Sequence, residues 1–151
     1  MTVDKIVSGG QTGVDRAALD AALSLDITHG GWCPQGRRAE DGIIATQYRL
    51  RETPSSDYLQ RTEWNVRDSD ATLILTRGEV EGGTAATAQY AGRHEKPLLI
   101  VDLMSEPPVE TARQWLSQNR IRTLNIAGPR ASKQPAIYRQ TLDYLLELLQ
   151  S

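Results

Sequence analysis

The sequence predicts an α/β fold, an open sandwich with a mostly parallel sheet covered by helices on both faces. Three observations predict it. Apolar runs of strand length alternate with helical patterns along the chain, the clearest strands are continuously apolar rather than alternating, and two of them are followed by glycine pairs that precede helices.

Taken in order, "DKIVSGG" reads as a short buried strand ending in glycine. "GVDRAALDAALSLD" follows as an amphipathic helix that offers Ala17, Leu19, Ala21, Ala22, Leu23 and Leu25 to a core, its small residues suited to close packing on a sheet. From Thr28 to Ala39 the glycines and Pro34 predict a loop, with a short strand at Gly31 to Cys33. "EDGIIATQYRLRET" predicts one helical turn and an extended piece from Tyr48 to Arg51. "SSDYLQRTEWNVRDSD" begins with serines that can cap and continues at helical spacing through Tyr58, Leu59, Trp64 and Val66.

In the second half, "DATLILT" is a buried strand, "RGEVEGG" a turn, and "TAATAQYAGRHE" a small-residue helix starting near Thr84. "KPLLIVDL" is another strand, "PPVETARQWLSQN" a helix with prolines at its start, and "IRTLNIAG" a strand. "QPAIYRQTLDYLLELLQ" closes the chain as an amphipathic helix whose leucines Leu142, Leu145, Leu146, Leu148 and Leu149 are expected in the core. No repeat, low-complexity segment or boundary interrupts the pattern, so a single domain over residues 1–151 is expected.

Composition narrows the function. A formal net charge of -2 leaves no broad electrostatic footprint for nucleic acid or an anionic membrane. "MTVDKIVSGG" lacks the long apolar segment of a leader or membrane span, which makes a cytoplasmic location the expectation. Cys33 is the single cysteine and His29 and His94 are the two histidines, so neither a disulfide nor a histidine- or cysteine-rich metal site is expected. Fourteen of the 17 basic residues are arginine, several of them between Arg37 and Arg67, and its planar fork suits phosphate or carboxylate.

The two glycine pairs stand in matched places. Gly9-Gly10 follows the first strand, and Gly82-Gly83 precedes Thr84 at a helix start. In open parallel sheets ligands bind beyond the carboxyl ends of strands, where glycine lets backbone N–H groups approach and a helix N-terminus favours negative charge. Two such loops facing each other would cradle phosphate oxygens, helped by the hydroxyls of Ser8, Thr12 and Thr84. No Lys-Ser/Thr follows the first turn, which excludes the P-loop, and "GGQTG" lacks the dinucleotide G-x-G-x-x-G spacing.

Together, "SGGQTGVDRAALDAAL", "GGWCPQGRRAEDG", "RTEWNVRDSDATLIL", "GGTAAT" and "KPLLIVD" resemble the molybdenum carrier family, YpsA-like proteins of the SLOG superfamily. The resemblance implies a Rossmann-like three-layer sandwich, homo-oligomers, and a phosphorylated small molecule bound at the glycine loops, either molybdenum cofactor (molybdopterin) or a nucleotide-like phosphate ligand. It assigns cofactor binding to Gly9, Gly10, Gln11, Thr12 and Gly13, to Asp15 and Arg16 behind them, and to Gly82, Gly83 and Thr84. Arg61 lies in the segment before the strand leading to the second loop, together with Asn65, Asp68 and Asp70. Trp32, Arg37 and Arg38, with Pro34 and Gly36, match the carrier family's own insertion and are expected to supply stacking and an anion clamp.

A carrier and a hydrolase differ at one position. The related phosphoribohydrolases place a glutamate one helical turn into the second loop's helix, and that position here is Thr87, which has no carboxylate. Carrying is therefore favoured over N-glycosidic hydrolysis, for which Asp15, Glu79 or Glu81 would have to serve as acid or base.

Overall fold

The computed structural model describes residues 3–150. Five parallel strands form the central sheet: β1 (Lys5–Val7), β2 (Thr28–Gly30), β7 (Ala71–Thr76), β8 (Leu98–Asp102) and β9 (Thr123–Ala127), in the order β2-β1-β9-β7-β8. Two small ladders stand apart from it. β3 (Trp32–Cys33) pairs in parallel with β6 (Arg51–Glu52), and β4 (Arg38–Ala39) forms an antiparallel hairpin with β5 (Gly42–Ile43).

The helices are α1 (Val14–Ser24), α2 (Tyr58–Arg67), α3 (Gly82–Arg93), α4 (Glu110–Gln118) and α5 (Ile137–Leu148). The crossover from β1 to β2 runs one way along the sheet and that from β7 to β8 runs the other, so right-handed crossovers put α1 and α3 on opposite faces. Accordingly α1 and α4 pack on α5, and α2 packs on α3. The result is the three-layer, Rossmann-like sandwich that the alternation of strands and helices predicts.

The larger core lies under α1, α4 and α5, where Ile6, Leu73, Leu75, Leu124, Ile126 and Leu145 are buried together. Leu148 joins it, with Leu142, Leu146 and Leu149 packed around the margin, so the last helix completes the core as its spacing predicts. A second cluster of Leu19, Cys33, Ala39, Ile44 and Tyr48 fastens the segment between β2 and α2 onto α1. Asp20 of α1 reinforces that joint by accepting hydrogen bonds from the hydroxyls of both Tyr48 and Tyr138.

Four local readings change. Thr28–Gly30 is a strand rather than loop, held by its backbone ladder to β1 without the apolar run that would mark it. The expected helical turn after Glu40 is the β4–β5 hairpin, whose bend passes through Gly42. The extended piece expected at Tyr48 to Arg51 falls instead at Arg51–Glu52. Gly82 and Gly83 belong to the first turn of α3, with Glu81 as its N-cap, instead of forming a turn ahead of Thr84.

The position of β9 matters most for function. The last strand of the chain lies between β1 and β7, pairing Ile6 with Leu124 on one side and Leu73 with Ile126 on the other. The two glycine turns are thus separated by the width of a strand, and the segment after β9 enters the space between them.

Candidate functional site

A cavity of about 410 Å³ opens at the carboxyl ends of the central strands. Gly9, Gln11 and Asp15 line it from the β1 turn, and Tyr58, Leu59, Arg61 and Asn65 from α2. Arg77, Glu79, Glu81, Gly83, Thr84 and Thr87 come from the β7 turn and α3. The floor and far wall come from β9 and the segment after it, through Asn125, Gly128, Pro129, Arg130, Lys133 and Gln134. Arg61, Arg77, Arg130 and Lys133 face Asp15, Glu79 and Glu81, a slight excess of cations.

The first glycine turn is closed in on itself. The Gly10 N–H donates to Ser8 Oγ at 3.2 Å, Gln11 N–H to Asp15 Oδ2 at 3.3 Å, and Thr12 N–H to Gln11 Oε1 at 3.0 Å. Its glycines make room for protein. A Cβ on Gly10, at φ 81°, would lie 2.7 Å from Leu50 Cδ1, and one on Gly13, at φ 79°, 2.4 Å from the Pro129 carbonyl oxygen. A Cβ on Gly9 would strike the Arg61 guanidinium.

That guanidinium lies across the turn because Asp15 holds it, Nη1 to Oδ2 at 3.1 Å, while its Nε donates to the Tyr58 carbonyl at 3.2 Å. Both side chains of the ion pair are largely buried. Burial pushes the Asp15 carboxyl above the ordinary carboxylate range, against the opposing pull of Arg61 and the Gln11 N–H.

The second glycine turn is open. Thr84 and Ala85 turn their N–H groups back to the Glu81 carbonyl, at 3.0 and 3.1 Å, and the amides of Gly82 and Gly83 ahead of them have no acceptor among the described residues. Nothing lies within 4 Å of a Cβ built on Gly83, whereas one on Gly82 would sit 3.9 Å from the Lys133 ammonium. A lysine at the positive end of a helix is electrostatically unfavourable on its own. An anion between the two would relieve that repulsion and accept the free amides.

The remaining sequence-derived site residues lie outside the cavity lining. Thr12 donates its hydroxyl to Glu40, and Arg16 makes a two-pronged pair with Asp41 at 3.0 and 3.2 Å, so both fasten the β4–β5 hairpin. Trp32 is enclosed by Trp64, edge-on at 4.8 Å between centroids, by Arg51 over its face at 4.6 Å, and by Asp68, which accepts from Nε1 at 2.8 Å. Asn65 brackets the same residue, accepting from its N–H at 2.7 Å and donating to its carbonyl at 3.0 Å. Arg37 turns inward to the carbonyls of Ile44, Ala45, Tyr48 and Leu50. Arg38 is exposed on β4. Asp70 accepts from the N–H groups of Arg122 and Thr123 at the sheet margin. Cys33 is buried in the second core, where desolvation pushes its thiol up.

Arg77, Arg130, Lys133 and Gln134 were not marked by sequence reasoning. The signal for three of them was present, since "NIAGPRASKQ" is a third strand followed by glycine and cations. Glu40 joins this segment to the first turn: it accepts from Thr12 Oγ1 and from Ser132 N–H at 3.0 Å and Oγ at 2.6 Å, and lies 3.5 Å from Arg130 Nε. At the hydrolase glutamate position, Thr87 is buried and donates its hydroxyl to the Gly83 carbonyl at 3.0 Å.

Comparison with known proteins places this geometry. Over 99% of its length the chain is 48% identical to the solved "Putative molybdenum carrier protein" from Syntrophus aciditrophicus SB, covering 96% of that chain with a TM-score of 0.93. No curated protein matches. Residues 6–149 match the family model described as circularly permutated YpsA SLOG, and the chain belongs to that family.

Proposed function

We propose that this chain is a single-domain carrier that binds a phosphorylated, ring-containing small molecule in the cavity, with its phosphate at the second glycine turn. The observation that carries the reading is the Lys133 ammonium beside Gly82, where the amides of Gly82 and Gly83 have no acceptor among the described residues. Arg77 and Arg130 add charge nearby, while Tyr58, Leu59 and the carboxylates of Asp15 and Glu79 offer apolar contact and hydrogen-bond acceptors to a ring.

Molybdenum cofactor is the ligand we assign, on the strength of the solved neighbour's description as a molybdenum carrier. Its phosphate suits the lysine and arginines, and its pterin N–H groups suit the cavity's carboxylates. The cofactor brings its metal on its own dithiolene, so the absence of a three-membered His, Cys, Asp or Glu cluster among the described residues is no obstacle. Carrying is supported over hydrolysis by Thr87, whose hydroxyl is engaged with Gly83 where a hydrolase needs a carboxylate, and by Asp15, which is held by Arg61.

Native mass spectrometry of the purified protein, followed by denaturation and identification of the released molecule, tests the reading. A released phosphorylated pterin is the expected result. Release of a nucleotide would replace the pterin in the same site, and ribose phosphate accompanied by free base would overturn carrying in favour of hydrolysis.

A further inference from the structure

The bend of the β4–β5 hairpin carries an inference independent of the ligand in the cavity. Glu40 and Asp41 form that exposed bend, yet the Glu40 side chain turns inward to 24% exposure and meets donors from two other segments. Its Oε2 accepts from Thr12 Oγ1 and from the Ser132 N–H at 3.0 Å, and its Oε1 from Ser132 Oγ at 2.6 Å. These contacts, Ser132 first and Thr12 next, hold the carboxyl below its ordinary value, so the seat favours a negative charge.

The donors are held in place without Glu40. Val14 N–H donates to the Pro129 carbonyl at 3.2 Å and Ala131 N–H to Thr12 Oγ1 at 3.1 Å, which fastens the segment after β9 to the first turn. Lys133 and Gln134 return their N–H groups to the Arg130 carbonyl, at 3.1 and 3.2 Å, and close the turn that holds Ser132. Because the Thr12 hydroxyl accepts from Ala131, its proton is left for the occupant of the seat. The seat is also larger than a carboxylate. Arg130 Nε is buried without a hydrogen-bond partner among the described residues, 3.5 Å from Glu40 Oε1. The two carboxylate oxygens serve Thr12 and Ser132 and leave that donor over, whereas a tetrahedral oxyanion has further oxygens to offer it.

We propose that Thr12, Arg130 and Ser132 form a second oxyanion seat, for a phosphate-type group free in solution or borne by a ligand, and that Glu40 is the chain's own competitor for it. An entering oxyanion takes over the donors of Glu40 and releases the hairpin bend from the segment that carries Lys133. Asp41, paired with Arg16 at 3.0 and 3.2 Å, keeps the hairpin on α1 meanwhile. Thr12, Glu40 and Ser132 lie outside the cavity lining, so this seat is separate from the anion position at Gly82 and Gly83, and Arg130 alone belongs to both surroundings.

The test follows the Ala131 and Ser132 amides by nuclear magnetic resonance as inorganic phosphate is added to the wild type, Glu40→Ala and Glu40→Gln, with chloride at matched ionic strength as the control for screening. Glu40→Ala is expected to show saturable shifts there at phosphate concentrations at least about tenfold lower than the wild type needs, because the tethered carboxylate no longer competes. Phosphate, and not chloride, is also expected to raise the thermal midpoint of that variant more than that of the wild type. If Glu40→Ala does not fold, Glu40→Gln, which keeps the size of the side chain, decides by the same shifts. Adenosine 5′-monophosphate in place of phosphate separates the two sources: Ser132 shifts with both probes show a seat open to ligand-borne phosphate, and shifts with phosphate alone a seat for the free ion. Shifts at Gly82 and Gly83 common to all three proteins report the second turn separately. Ala131 and Ser132 amides that phosphate leaves unmoved in both variants, or moves at the same concentration as in the wild type, would overturn the proposal.

Discussion

The two glycine turns look alike in sequence and differ in physical role. In the first, Gly10 and Gly13 make room for Leu50 and the Pro129 carbonyl, and the amides of Gly10, Gln11 and Thr12 are bonded within the protein. In the second, Gly83 faces open space and the leading α3 amides have no partner among the described residues. A glycine pair after a strand therefore announces a close approach without saying whether protein or ligand makes it. The first turn builds the wall of the cavity, and the second is where we place the anion.

The sharpest way to break this contrast is a pair of substitutions. Gly13→Val is expected to destabilise the fold by about 3 kcal/mol or more, because its side chain meets backbone atoms at positive φ; a thermal midpoint near that of the wild type would contradict the packing role. Gly83→Val is expected to change stability by less than ~1 kcal/mol, since its side chain enters empty space. Its ligand affinity is expected to fall at least about tenfold, or ~1.4 kcal/mol, as read by titration calorimetry; affinity equal to wild type would remove the second turn from the site.

Lys133→Glu sharpens the same comparison with opposite signs on two readouts. Ligand binding weakens, while stability without ligand rises by about 0.3 to 1 kcal/mol because a carboxylate now faces the positive end of α3. A variant that loses stability and keeps affinity would show that Lys133 has a structural role instead.

A separate, pH-dependent effect is expected at Glu40, which ties the first turn to the segment after β9. Its hydrogen bonds from Ser132 and Thr12, with help from Arg130, hold its carboxyl below the ordinary value of 4.5. A carboxyl lowered on folding contributes stability above its unfolded pKa and loses it as pH falls through the folded one. Glu40→Gln is therefore expected to cost about 1 kcal/mol at pH 7, a figure reduced for solvent exposure, and the difference from wild type should shrink as pH falls below 4.5 and vanish in acid below the lowered folded value. A difference that persists there would mean the charge is not the source.

Much of the fold was legible because strands such as Ala71–Thr76 are buried throughout and the helices between them carry small or amphipathic faces. Thr28–Gly30 was hidden because an edge strand held by backbone ladders needs no apolar signature. The site was legible in part: Gly9, Gln11, Asp15, Arg61, Gly83 and Thr84 line one cavity. Trp32, Arg37 and Arg16 have the chemistry of ligand-binding groups but find their partners within the protein. Lys133 and Arg130 were missed because periodicity carries no information on strand order, and only the placement of β9 between β1 and β7 brings them to the cavity.

The most direct test of the contrast follows the backbone amides by nuclear magnetic resonance while inorganic phosphate is added to the wild-type protein. Saturable shifts at Gly82 and Gly83, with Gly10 and Thr12 unmoved, are the predicted result. Shifts confined to Gly10 and Thr12, or none at Gly82 and Gly83 at saturating phosphate, would contradict the assignment of the anion to the second turn.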